Sequence, residues 1–307
     1  MSLRLVRRMA WLTLIYMILV ILWGAFVRAT GSGAGCGDHW PLCNGTVVPR
    51  AAALETIIEL THRLTSGVSL ALVVILFFMS RRVVPKGHGL RSAANWSLGF
   101  ILAEALIGAG LVLFELVAHN ASLKRVFSMS AHLANTFALL AALSLVIWRS
   151  SPNPHSHSVT CFSRADLSTL RLPLFGALLL ILAGMSGAIA ALGDTLYSAV
   201  GALPLQAYVD GDVPFLLRLR IIHPFLAVAA GGYLLWLQTH WANFHDDSTF
   251  AKLSWAVSSC TLLQIGLGFA NVALAAPIWM QLVHLGVGVL LWTAFVFQSF
   301  IFHSKSK

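Results

Sequence analysis

Long apolar runs, broken by short polar stretches, dominate the chain. Eight of them lie near 9–28, 64–80, 96–115, 128–148, 173–192, 221–238, 254–275 and 279–302. Each approaches the roughly 20 apolar residues a helix needs to cross a bilayer. A membrane β-barrel would show shorter segments alternating in polarity instead. The pattern predicts an all-α polytopic membrane protein with eight transmembrane helices.

Histidines interrupt this pattern in a regular way. Of the 12 in the chain, His39, His88, His119, His155, His157, His240 and His245 fall in predicted loops, and His303 lies near the C-terminal end. The other four, His62, His132, His223 and His284, stand in the first turns of spans two, four, six and eight. Even spans all run the same way, so the four imidazoles approach one leaflet. His62 and His223 are 161 residues apart, and His132 and His284 are 152 apart. The segment LIGAGLVLF at 106–114 also resembles QIGLGFANV at 264–272. These spacings predict two four-helix bundles related as a parallel repeat, 1–148 and 173–307, joined by a polar linker at 149–172. Inverted repeats, common in transporters, would need an odd number of spans per half.

Composition changes the picture in one respect, the direction of insertion. Only 10% of residues are charged, against about 25% in soluble domains. With the N-terminus placed inside, 13 of the 20 lysines and arginines fall in inner segments, which predicts that both termini are cytoplasmic. The formal charge of +9 expresses that bias and gives no case for nucleic-acid binding. The first span is read as retained, since it lacks the short core and small-residue cleavage site of a signal peptide. Cys36 and Cys43 share the first outer loop, GCGDHWPLCNG, where an oxidising compartment permits either a disulfide or two free thiols. Cys161 and Cys260 fall in an inner loop and a span.

Ionisable residues within spans are functional candidates. A single membrane histidine can serve by hydrogen-bonding to a neighbouring helix. Two per half at matching depth point to axial ligation of a haem, which takes neutral imidazoles between the helices of a bundle. A zinc site would call for four ligands in a tetrahedral cage. Arg63, Arg218 and Arg220 flank the histidines and are candidates to pair with haem propionates; interfacial snorkelling is the alternative. Glu59 stands three residues before His62, whereas Arg220 stands three before His223. The two halves therefore differ beside matched histidines.

With these marks together, CGDHWPLCNG, ELTHR at 59–63, IHP at 222–224 and VHLGVG at 283–288, the chain resembles the haem A synthase family over nearly its whole length. The resemblance implies oxidation of the C8 methyl group of haem O to a formyl group, giving haem A for terminal oxidases. It implies that His62 and His132 hold the substrate haem, that His223 and His284 hold a resident haem b, that Cys36 and Cys43 form the outer-loop pair, and that Glu59 is the catalytic carboxylate. It further implies a bacterial inner membrane, haem sites near the outer face, an electron donor, and haem O synthase and oxidase assembly proteins as partners. The second half lacks a matching cysteine pair. The other readings are a non-enzymatic bis-histidine protein for electron transfer or haem delivery, and a secondary transporter.

Overall fold

The computed structural model describes residues 1–50, 52–151, 164–197, 213–242 and 248–305. Eight helices in it are long and apolar enough to cross a membrane. They are α1 (Leu3–Ala29), α2 (Leu54–Val83), α3 (Gly89–Leu113), α4 (Leu123–Arg149), α5 (Arg164–Leu196), α6 (Ile222–Ala242, preceded by the short helix Phe215–Leu219), α7 (Ser248–Ala273) and α8 (Ile278–Lys305). No strand occurs among the described residues, and Cys43 and Thr46 form only an isolated bridge. All eight expected spans are present.

The helices outrun the apolar segments that announce them. α2 starts at Leu54, so the whole ELTHR stretch is helical, and α5 starts at Arg164, inside the stretch expected as linker. Polar residues at a helix end cost little where the span leaves the hydrocarbon, so hydropathy underestimates length there. Ser2 and Ser122 cap α1 and α4 by accepting from the Leu5 and Arg125 amides. The rest of the linker, the expected second outer loop at 198–212, and His155, His157, His245 and Cys161 lie outside the described residues.

α1 and α3 each pack against both α2 and α4, so α2 and α4 stand at opposite corners of a four-helix ring. α5 and α7 pack in the same way against α6 and α8. The two rings meet along α1, α4, α5 and α8. Phe137 of α4 and Trp292 of α8 stack there at 4.9 Å between centroids, and the Trp292 indole donates to the Phe137 carbonyl at 2.9 Å. Arg28, at the end of α1, donates to the Ala191 carbonyl, the Thr195 hydroxyl and the Gln281 side chain at 2.6, 2.8 and 2.9 Å. Within the second ring, the fully buried Gln298 of α8 donates to Ser254 of α7 at 2.8 Å and accepts from Gln238 of α6 at 3.1 Å.

The outer faces are apolar and bare. Leu106, Phe225 and Trp255 are each more than 70% exposed. Such a surface suits hydrocarbon, where helices satisfy their own backbone groups. The protein is a multi-pass membrane protein.

Candidate functional site

At the start of α2, a short loop is clamped onto the helix. Cys36 and Cys43 are joined by a disulfide, and both are fully buried. The Cys36 amide donates to Glu59 Oε2 at 2.8 Å. Arg63, one turn further on, donates to Glu59 Oε1 through Nη2 at 2.5 Å and through Nε at 3.1 Å. Its Nη1 donates to the carbonyls of His39 and Leu42 at 2.6 Å each. Thr56 completes the seat by donating to the Gly35 carbonyl at 2.6 Å. Gly35 has to be glycine, because a Cβ there would meet the Glu55 carbonyl carbon at 2.4 Å.

The disulfide closes a short loop, so replacing both cysteines by serine is expected to destabilise the protein by about 2–3 kcal/mol. Thermal unfolding of the double variant in detergent checks this. An unchanged midpoint would mean that the contacts of Glu59 and Arg63 hold the loop alone.

The four span histidines share one local construction. Each ring lies against a glycine on a neighbouring helix. A Cβ on Gly24 of α1 would stand 2.8 Å from His62 Cε1, and one on Gly187 of α5 would stand 3.0 Å from His223 Cε1. On Gly108 of α3 it would stand 4.0 Å from His132, and on Gly268 of α7 3.4 Å from His284. Small residues let helices approach closely in membranes, and here they also leave room for an imidazole.

The histidines carry ring nitrogens that the protein leaves unsatisfied. Nδ1 of His62 and of His284 is buried without a hydrogen-bond partner, and Nδ1 of His132 makes no hydrogen bond but lies 3.4 Å from Glu104 Oε1. His223 differs, with its Nδ1 3.1 Å from both the Ala183 carbonyl and the Ser186 hydroxyl. A carbonyl can only accept, so Nδ1 holds the proton and Nε2 presents a lone pair, the state a metal ligand needs. The His223 and His284 rings face each other with centroids 6.3 Å apart. Two imidazoles sharing one ion through bonds of about 2 Å would place their centroids roughly 6 Å apart. His62 and His132 stand on α2 and α4, at opposite corners of the first ring.

Among the described residues, no group of three or more His, Cys, Asp or Glu side chains could hold a bare metal ion. Two imidazoles per ring, each beside a glycine, match the protein ligands a haem would take, its macrocycle supplying the others. The residues present fit that group.

The flanking arginines have protein partners. Arg63 is held by Glu59 and two loop carbonyls, as above. Arg220 pairs with Asp194 at 3.1 Å, and Arg218 donates to the Val213 carbonyl at 3.0 Å. Sequence reasoning missed Asp194, Arg28, Gln264 and Glu104. Glu104 Oε1 lies 3.4 Å from His132 Nδ1, and Glu104 accepts from Asn135 and Thr136. A lone carboxylate within an apolar run was the available signal for it.

A family model described as "Cytochrome oxidase assembly protein" (COX15-CtaA) matches residues 7–296. A protein of Thermus thermophilus named "Protoheme IX farnesyltransferase" is 43% identical over 290 residues, covering 94% of this chain and 47% of its own. "Heme A synthase" of Bacillus cereus is 43% identical over 111 residues, 36% of each chain. The chain thus spans about half the length of the Thermus relative. These matches bear out the family resemblance drawn from the sequence motifs.

Proposed function

The chain belongs to the COX15-CtaA family of cytochrome oxidase assembly proteins, and from that premise we propose that it is a haem A synthase, an oxidoreductase that converts the C8 methyl group of haem O to a formyl group. The observation that carries this reading is the set of four glycine-backed histidines, two in each four-helix ring. A relative bearing the name "Heme A synthase" supports it.

In this reading the two rings are a parallel repeat with divided labour. His62 and His132 hold haem O, the substrate, and His223 and His284 hold a resident haem b. A bound haem supplies redox and oxygen chemistry. The protein's own residues bind, orient and charge the site. Ser186 and the Ala183 carbonyl fix the His223 ring so that Nε2 is the ligating atom. Arg63 pairs with Glu59 and aims it, and the disulfide loop covers both. Glu59 is the catalytic carboxylate, stabilising positive charge as the methyl carbon is oxidised or taking its proton. Arg63 supports Glu59, and Arg218 and Arg220, held by the Val213 carbonyl and by Asp194, stand beside His223 as the candidates to meet haem propionates. The excess of lysine and arginine in segments away from the histidines supports both termini in the cytoplasm of a bacterium and the sites toward the outer face. With dioxygen as the oxidant and oxygen source, each hydroxylation of the methyl carbon takes up two electrons and two protons and releases water, and the electrons come from a donor that meets the protein at the membrane. Haem O synthase and oxidase assembly proteins are its natural neighbours.

The test is to express the protein in membranes supplied with haem O and extract the pigments. Haem A in the extract is the expected result; unchanged haem O alongside bound haem b would instead favour an electron-transfer or haem-delivery protein. In the same membranes, His223→Ala and His284→Ala are expected to abolish the low-spin haem b spectrum, while His62→Ala and His132→Ala retain it.

A further inference from the structure

Glu104 lies farther from the ends of its helix than any other described acid. It is also tightly held. Thr136 donates to Oε1, Asn135 donates to Oε2, and the Asn135 amide reaches the Phe100 carbonyl as well, at 2.9 Å. This grip sets Oε1 3.4 Å from His132 Nδ1, and a Cβ on Gly108, one turn along α3, would stand 4.0 Å from the imidazole.

The second ring repeats the arrangement with one change. Gln264 precedes Gly268 by four residues, as Glu104 precedes Gly108. Gly268 backs His284, and the Gln264 amide nitrogen is 3.3 Å from Nε2 of His284, where Glu104 approaches Nδ1 of His132. Matched places beside matched histidines thus hold a carboxylate in one ring and a neutral amide in the other.

We propose that Glu104 is a positioning residue for His132 that lowers the reduction potential of the haem iron ligated there below that of the iron ligated by His284. This rests on the haem-ligating reading of the two pairs. A carboxylate behind a ligating imidazole fixes its orientation and raises its basicity. Its charge, held in a low-dielectric bundle, stabilises the more positive ferric state. Gln264 adds no charge beside His284. The same pair of histidines therefore serves two irons of different redox character.

The experiment is potentiometric titration of the intact, haem-loaded protein at one pH, with the two haems resolved as separate midpoints. Glu104→Gln is expected to shift the first haem at least tenfold toward ferrous, about 59 mV upward for one electron, and to leave the second in place. Gln264→Glu is expected to move the second haem tenfold in the opposite direction. A first-haem shift smaller than twofold in Glu104→Gln, or equal shifts of both haems, overturns the proposal. If Glu104→Gln does not fold, Gln264→Glu decides alone: a shift below twofold overturns the proposal. A wild-type protein with no haem at His62 and His132 would sink the functional reading itself, whereas bound haem with an unmoved potential sinks only this inference.

Discussion

Replacing Glu59 by glutamine is expected to leave the fold and the haem b spectrum intact and to cut conversion of haem O to haem A by roughly a hundredfold or more, the contribution typical of a positioned acid or base. Glutamine keeps the shape of the side chain and can still accept from the Cys36 amide, so the disulfide loop stays seated. What it loses is the negative charge beside the reacting group. Alanine would be a poorer probe. It strands the Arg63 guanidinium and the Cys36 amide, and breaking a buried charge pair by removing one partner destabilises by about 3–5 kcal/mol. The measurement is the ratio of haem A to haem O extracted from membranes holding equal amounts of each variant. Conversion within several-fold of wild type would reduce Glu59 to a clamp for the loop.

The second large effect is expected from the glycine cradles. Gly187→Leu drives a side chain into the space of His223, where even a Cβ would come within 3.0 Å of the ring, and is expected to abolish the haem b spectrum. Gly24→Leu does the same to His62, at 2.8 Å, and is expected to abolish haem A formation while sparing haem b. Gly232→Leu is the control, because a Cβ at that position of α6 meets nothing within 4 Å. Absorbance spectra of the purified variants decide the matter. If Gly187→Leu binds haem b as wild type does, the cradle plays no part in ligation.

The eight spans were legible because a helix in hydrocarbon has to be apolar on every side, and apolar runs survive in a one-dimensional reading. The four histidines were legible for the converse reason, as isolated polar groups in those runs. Helix starts were less so: the apolar run marks span two near 64, yet the helix begins at Leu54 and runs through Glu55, Glu59, His62 and Arg63. Partners were the least legible. Arg63 reads as a free cation in sequence, yet its donors go to Glu59 and to the backbone of residues 39 and 42. No residue type announces a backbone carbonyl. The contacts of Gly24 with His62 and of Gly187 with His223 join helices whose sequences carry only small residues at those positions. Glu104 is a different case, since an acid within an apolar run could have been read and was passed over for the histidines.

The buried knot of Gln298, Gln238 and Ser254 bears on how the second ring stays together in the bilayer. A glutamine amide facing lipid is unfavourable, so α6 and α8 each carry a side chain that favours the assembled ring over the separate span. Ser254 of α7 accepts from Gln298, and Gln238 of α6 donates to Gln298, so each helix hides a polar group of its neighbour. Drawing α8 away would turn the Ser254 hydroxyl and the Gln238 amide toward hydrocarbon, which makes separation of these three helices a concerted event.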